Sequence, residues 1–153
     1  MIGRLVPVPR LVCFHGEPGK RYRYSGRDHE ALLWTPTLRV LVEQLRAFTG
    51  TPYDTVLCNF YRDGMDAMGK HSDDEKELGP SPDDLHIASI SLGARRIFRM
   101  RRKDGSERFD LQLGHGDLLV MSGTTQAHWT HEVPRTKAMV GPRLNLTFRC
   151  VKG

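Results

Sequence analysis

The segment Lys70-His71-Ser72-Asp73-Asp74-Glu75 carries a histidine and a carboxylate two residues apart. Side chains alternate along an extended segment, so His71 and Asp73 are predicted to point to the same side. A metal ion held by this pair needs at least one further ligand from elsewhere in the chain. Two histidines near position 130 qualify, His128 and His131, and their spacing does not choose between them.

Two histidines and one carboxylate are the facial ligand set of non-haem Fe(II) sites, which leaves the other face of the metal open. A lone His-x-Asp pair occurs by chance in many chains, so the prediction needs support from other segments. The last predicted strand supplies some, because Arg143-Leu144-Asn145-Leu146-Thr147-Phe148-Arg149 alternates polar and apolar residues. Half-exposed antiparallel strands show this alternation routinely. However, two arginines that frame Asn145 on one face also suit a bound carboxylate. Asn59 and Tyr61 share a parity on another predicted strand and could reach the same ligand.

Length and composition predict an ordinary single domain. The chain has 153 residues, and its net charge of +5 comes from 23 Lys+Arg against 18 Asp+Glu. This charge suits a polyanionic partner but is also common without one. No apolar run approaches the ~20 residues of a membrane helix. The start, interrupted by Pro7 and Pro9, does not resemble a signal peptide. We therefore expect a cytoplasmic protein, or a nuclear one in a eukaryote.

One helix and several strands are predicted. Thr35 is the expected N-cap with Pro36 in the first turn, and Gly50 ends the helix. Its apolar stripe predicts packing on a sheet and consists of Leu38, Leu41, Val42, Leu45 and Phe48. The predicted strands are 55–61, 87–92, 97–101, 107–111, 117–121 and 143–150. This order predicts a mainly β fold, a double-stranded β-helix (jelly roll) with a buttressing helix.

Two further stretches combine charge with aromatic or turn residues. In the segment 20–26, Tyr22 and Tyr24 are predicted on one face of a strand, with Arg21 and Arg23 on the other. This pattern fits either a solvated edge strand with two half-buried tyrosines or a stacking lid flanked by phosphate contacts. A predicted hairpin carries seven cationic residues, Arg95, Arg96, Arg99, Arg101, Arg102, Lys103 and Arg108. A solvated charged hairpin is the ordinary interpretation, and contact with a nucleic-acid backbone is the functional hypothesis.

Taken together, six motifs in order resemble the AlkB family of Fe(II)- and 2-oxoglutarate-dependent nucleic-acid dealkylases. They extend from about Pro7 to Arg149 and resemble most the branch with His-Ser-Asp-Asp-Glu at the metal. The motifs comprise Asn59-Phe60-Tyr61 with Asp63-Gly64, His71 to Glu75, Ile87 to Gly93, His115 to Met121, Trp129-Thr130-His131, and Pro142 to Arg149.

The resemblance implies one dioxygenase domain over residues 1–153. A nucleotide-recognition lid would occupy about residues 1–34, and the jelly-roll core about residues 53–150. It implies Fe(II), 2-oxoglutarate and O2 as cofactors, and oxidative demethylation of bases such as N1-methyladenine and N3-methylcytosine in DNA, a direct-reversal repair. The expected partner is nucleic acid, with no membrane, and the expected state is a monomer. Alternatives are an RNA or tRNA demethylase, a nucleic-acid binder without turnover, or an oxygenase of protein or lipid.

The resemblance also assigns individual roles. The metal ligands would be His71, Asp73 and His131, which favours His131 over His128. Five residues would surround 2-oxoglutarate, namely Asn59, Tyr61, Arg143, Asn145 and Arg149. Four would meet the substrate base or lesion pocket, namely Glu75, Tyr22, Tyr24 and Arg10. Among these, Tyr24 and His71 would sandwich the flipped base.

Overall fold

The computed structural model describes residues 9–24, 26–81 and 85–152, without the side chain of Tyr24. Two α-helices occur in these residues, α1 (Pro36–Thr49) and α2 (Thr125–His128). The strands are β1 (Leu11–Gly16), β2 (Arg21–Tyr24), β3 (Arg27–Glu30), β4 (Leu32–Leu33), β5 (Thr55–Tyr61), β6 (Met68–His71), β7 (Ile87–Gly93), β8 (Arg96–Arg102), β9 (Arg108–Leu113), β10 (Leu118–Met121), β11 (Trp129–Val133) and β12 (Arg143–Arg149). A single 3₁₀ turn, Lys76–Leu78, follows β6.

Two sheets form the body of the fold. The large sheet has the order β10-β7-β12-β5-β1-β4, and the small sheet has the order β6-β11-β8-β9. Every neighbouring pair in them is antiparallel except β1 and β4. Between the sheets lies an apolar cluster with side chains from both, including Tyr61 and Ile87 from the large sheet and Phe98 and Val133 from the small one. The predicted jelly-roll class is confirmed.

Helix α1 covers the outer face of the large sheet. The Thr35 side chain accepts a hydrogen bond from the Leu38 N–H at 3.2 Å, and Gly50 closes the helix with φ 75°. Both predicted ends are therefore confirmed. Leu38 is buried in the cluster beneath the helix, but Phe48 is 79% exposed, so its assignment to the stripe was wrong. Phe48 lies roughly 80° around the helix from Leu38, at the edge of the buried face.

Strand β12 is buried on both faces, so the half-exposed interpretation is wrong. Its apolar residues, such as Leu146 and Phe148, pack in the cluster beneath α1. Its polar residues face the interior between the sheets, and Arg143 and Arg149 are 1% and 6% exposed. A strand that carries four polar side chains into the interior implies a polar site there, because buried polar groups require partners.

The N-terminal part of the described chain contributes to two sheets. β1 pairs with β5 in the large sheet, and β2 and β3 form a separate hairpin. Within that hairpin Tyr22 is only 2% exposed, so the expectation of a half-buried side chain was wrong for this residue. Among the described residues, no helix has the length and apolar character needed to cross a membrane.

Candidate metal centre and active-site cavity

Three side chains converge where the small sheet meets the cavity. His71 ends β6 and is the register partner of His131 on β11, while Asp73 follows two residues beyond β6. One ligand atom from each of the three lies within 4.8 Å of the others. His71 Nε2 is 3.4 Å from one Asp73 oxygen, and His131 Nε2 is 4.0 Å from the other. His128 is exposed on α2 and is not part of this group.

The imidazoles are oriented for a metal at Nε2. His71 Nδ1 lies 2.8 Å from the Gly69 carbonyl, which can only accept a hydrogen bond, so Nδ1 carries the proton and Nε2 is left as a ligand. The His131 ring stacks on Phe98 with centroids 5.1 Å apart. Backbone pairing and ring packing therefore fix both imidazoles before any ion binds.

The protonation states of Asp73 and His131 also suit metal binding. Burial acts to raise the pKa of Asp73, but the Arg149 guanidinium at 2.9 Å and the two imidazoles outweigh it and hold that pKa well below its usual range. Burial lowers the pKa of His131 to about 4. At neutral pH the site thus presents a carboxylate and a neutral imidazole, which are the forms that bind metals.

The three side chains line a cavity of about 340 Å³. Six other residues that the sequence assigned to the site line it too: Arg10, Tyr22, Asn59, Glu75, Asn145 and Arg149. Tyr61 and Arg143 do not line the cavity. They are register partners on the inward face of the large sheet, two residues along β5 and β12 from the Asn59–Asn145 pair.

The Arg143 guanidinium is buried with donors to spare. One terminal nitrogen donates to the Ser91 hydroxyl at 2.9 Å, and the group lies 5.2 Å from the centroid of the Tyr61 ring. Its Nε and other terminal nitrogen have no partner in the described part of the chain. A buried cation with two unpaired donors is costly unless an anion completes it. This feature fits a carboxylate ligand.

Comparison with known proteins agrees with this geometry. Residues 3–149 match the family described as the 2OG-Fe(II) oxygenase superfamily. The chain belongs to that superfamily. The chain is also 40% identical to mouse "DNA oxidative demethylase ALKBH2", over 97% of this chain and 64% of that protein. The human protein of the same name is 39% identical, over 97% of this chain and 59% of that one.

A second group of relatives carries the AlkB name itself. Mouse "Alpha-ketoglutarate-dependent dioxygenase alkB homolog 3" is 43% identical, over 95% of this chain and 52% of that protein. The AlkB resemblance is therefore confirmed. The oxygenase chain spans between about half and two thirds of the length of these relatives.

The polar wall beside the metal ligands is tied together by its own hydrogen bonds. Arg10 Nε donates to Asn59 Oδ1 at 2.7 Å. Asn145 donates to the Ser89 hydroxyl at 2.6 Å and accepts from the Thr147 hydroxyl at 2.8 Å. Ser89 and Thr147 were missed from sequence, although their parities on β7 and β12 could have indicated them. These bonds hold both amides of the oxygenase wall in fixed orientations.

Glu75 and Tyr22 form the opposite part of the wall. The Tyr22 hydroxyl is hydrogen-bonded to Glu75, and Arg149 lies 5.3 Å from the centroid of the tyrosine ring. The other Glu75 oxygen, Oε2, is buried without a partner in the described residues. Burial, and then the Asp73 charge, raises the pKa of Glu75. The side chain of Tyr24, predicted to stack with His71, lies outside what the structure describes.

The cationic hairpin contains one buried arginine and several cations that are ion-paired at the surface. Arg101 pairs with Glu132, Arg102 with Asp104 and Glu107, and Lys103 with Asp74. Arg96 is 4% exposed and donates to the carbonyls of Asp63, Asp66 and Pro134, so its place in a nucleic-acid surface was wrong. Arg99 is held by Asp110 at 2.7 Å. A groove of about 350 Å³ remains, and we call it the basic groove; it is lined by Lys70, Arg101, Arg102, Lys103, Gly105, Glu107, Arg108 and Thr130. Because Lys70 also lines the metal cavity, the two depressions adjoin.

Proposed function

We propose that this oxygenase removes N-methyl groups oxidatively from bases of the N1-methyladenine and N3-methylcytosine type in DNA. The observation that carries the proposal is the convergence of His71, Asp73 and His131 in one cavity with Arg149 and Glu75. The names of the relatives, DNA oxidative demethylase and alkB homolog 3, support it. Those relatives are longer proteins, so the activity of this chain rests on its own tests.

His71, Asp73 and His131 would hold Fe(II). Bound iron and 2-oxoglutarate together supply the oxidation by O2 that releases the methyl carbon as formaldehyde. The chain's own part is to fix the ligands, keep the His131 imidazole neutral and exclude water from the cavity. Arg149 keeps Asp73 ionised through its bond at 2.9 Å to one carboxylate oxygen.

Arg143 would anchor the distal carboxylate of 2-oxoglutarate, with Tyr61 and Asn145 beside it. Two unpaired guanidinium nitrogens buried behind the cavity wall support this role, because a buried cation with unpaired donors favours an anionic partner. Arg149 and Asn59 would meet the keto and 1-carboxylate end. The unpaired Nε of Arg149 gives that residue a donor that its bond to Asp73 does not use.

Glu75 would favour bases that carry a positive charge. N1-methyladenine and N3-methylcytosine are cationic, and Glu75, which has a buried and unpaired oxygen, lines the cavity that would receive them. A base must leave the stack to enter, which costs a few kcal/mol and less for a lesion that cannot pair. Tyr22, Tyr24 and Arg10 would complete the base site, in a lid over about residues 1–34 that covers a core over about residues 53–150.

The basic groove would take the nucleic-acid backbone. Four of its side chains are cationic and lie on or beside the β8–β9 hairpin, and Lys70 connects the groove to the metal cavity. We propose DNA rather than RNA as the polyanion, on the name of the relatives called DNA oxidative demethylase. The proposed state is a monomer, and the proposed location is the cytoplasm, or the nucleus in a eukaryote.

The deciding experiment is aerobic incubation with Fe(II), 2-oxoglutarate and an oligonucleotide that carries one N1-methyladenine. Mass spectrometry is expected to show loss of the methyl group with matching formaldehyde. His131→Ala should abolish turnover, while His128→Ala, a matched change three residues away and exposed, should retain it. The same assay is carried out in parallel on methylated RNA of the same sequence. Faster turnover of the RNA would show that RNA, and not DNA, is the preferred substrate. Binding of either nucleic acid without turnover would refute the enzymatic proposal.

A second experiment tests the role of Glu75. Glu75→Gln keeps the shape of the side chain and removes its charge, so the rate on cationic lesions should fall relative to the rate on a neutral methylated base. Asp74→Asn is the matched control, because Asp74 is adjacent and exposed. An unchanged ratio of the two rates in Glu75→Gln would show that its charge does not select the lesion.

A further inference from the structure

The backbone that carries Asp73 is held by a side chain rather than by a sheet. The ladder between β6 and β11 ends at the His71–His131 pair, and residues 72–75 form no strand. Asp73 is nevertheless 2% exposed, so its N–H is buried and requires an acceptor. Gln126 supplies it, because the Asp73 N–H donates to Gln126 Oε1 at 2.9 Å.

The orientation of the Gln126 amide follows from its two neighbours. Gln126 is 0% exposed, and its Nε2 donates to the Met121 sulfur at 3.5 Å. The Asp73 N–H can only donate, so the amide oxygen must face it, and the rotated amide would set two donors against each other. The thioether is a weak acceptor, so the bond to Asp73 is the stronger of the two contacts.

Gln126 also connects Asp73 to another metal ligand. It lies on α2, which continues directly into β11, and His131 follows five residues later. Two more contacts hold this segment in place. The hydroxyl of Ser72, the neighbour of Asp73, donates to the Trp129 carbonyl at 2.8 Å. Lys103 Nζ donates to the Gln126 carbonyl at 2.9 Å. The segment 126–131 therefore carries one ligand and holds the backbone of a second.

We propose that Gln126 is a positioning residue of the metal centre. Its amide oxygen fixes the Asp73 backbone so that the carboxylate reaches the ion together with both imidazoles. This inference rests on the proposed Fe(II) site. Partners that orient metal ligands typically account for ~10–100-fold in metal affinity, and we expect a loss of that size when the acceptor is removed.

The test uses Gln126→Met, which keeps the length of the side chain but removes the acceptor. Thr125→Val is the matched control, because it removes a hydrogen bond on the same helix that does not involve Asp73. Fe(II) affinity is measured by anaerobic titration, and Co(II) absorption reports the ligand geometry. Urea unfolding of the metal-free proteins measures stability separately. Gln126→Met should bind Fe(II) roughly 10–100-fold more weakly with an altered Co(II) spectrum, and Thr125→Val should match the parent in both.

The outcomes separate this inference from the proposed function. If Gln126→Met is less stable but binds metal within twofold of the parent with an unchanged spectrum, the residue is merely structural and the proposal is overturned. If Gln126→Met does not fold, Gln126→Asn, whose shorter amide does not reach Asp73, decides by the same titration. If the parent binds no Fe(II), the metal centre itself is refuted, and the Gln126 inference falls with it.

Discussion

Replacing Arg143 with Met is predicted to weaken 2-oxoglutarate binding about 100-fold while leaving the ligand-free protein nearly as stable as its parent. The matched change is Arg96→Met. Both arginines are buried, at 1% and 4% exposed, and both lie within 6 Å of the Tyr61 ring. They differ in their partners, because Arg96 donates to three backbone carbonyls while two Arg143 nitrogens have none in the described chain.

The magnitudes follow from those contacts. Arg143→Met loses one hydrogen bond, worth about 1 kcal/mol, and removes a buried charge whose desolvation opposes folding, so the two effects nearly cancel. Removing the Arg96 charge gives the same relief, but Arg96→Met loses three bonds, so it is about 2 kcal/mol less stable than Arg143→Met, which for a chain of this size lowers Tm by roughly 4–8 °C. In the Arg143→Met variant, loss of the buried, hydrogen-bonded charge pair with the ligand lowers the binding free energy by about 2–3 kcal/mol, close to 100-fold in affinity.

Thermal unfolding with Fe(II) under anaerobic conditions, with and without 2-oxoglutarate, measures both the stability of each variant and its 2-oxoglutarate binding. At a concentration 100 times its Kd, 2-oxoglutarate stabilises the parent by about 2.7 kcal/mol, or roughly 5–11 °C in Tm. A 100-fold weaker Arg143→Met would gain about 0.4 kcal/mol, near 1 °C. Arg96→Met should unfold earlier but keep the full shift. If Arg143→Met keeps that shift, the unpaired guanidinium does not bind the co-substrate and the proposed anchor is refuted.

Three further predictions concern other parts of the molecule. Thr35→Ala removes the N-cap of α1 and should lower Tm by about 2–4 °C, since such a cap is worth about 1 kcal/mol; an unchanged Tm would show that the cap is not needed. Burial raises the pKa of Cys58 to about 12, whereas Cys13 is exposed, so mass spectrometry should find Cys13 alkylated first at pH 8, and the reverse order would contradict the burial. Changing Arg101 and Arg102 to Gln should reduce the slope of log K for DNA binding against log salt concentration, by about 0.9 for each phosphate that the variant no longer neutralises. An unaltered slope would show that the basic groove does not bind the DNA backbone.

Local sequence signals were sufficient for much of the fold. Thr35 and Gly50 mark the helix ends because capping depends on a few adjacent residues, and β5 runs from Thr55 to Tyr61 as its pattern predicted. The polar parity of β12 was visible too, but it fitted both a half-exposed strand and a strand that turns its polar face to a bound carboxylate. Whether a polar face meets solvent or a cavity depends on a second sheet, which no single strand encodes.

The errors and omissions in the site have the same cause. Arg96 belongs to a cationic run in sequence, yet its partners are carbonyls brought close by the turn after β5 and the loop after β11. Gln126 meets Asp73 across 53 positions and stands in no pattern that indicates it. The choice of His131 over His128 needed the family resemblance, because both histidines lie within one short segment.

Because β12 is buried on both faces, alternate residues of this strand pack in the core and line the cavity. Leu144, Leu146 and Phe148 face the helix layer, and the residues between them face the cavity. Directed evolution of this strand can therefore treat odd and even positions as separate libraries. Variation at even positions should change expression and heat tolerance, while variation at odd positions such as 145 and 147 should change the lining of the cavity and the ligand that it can hold.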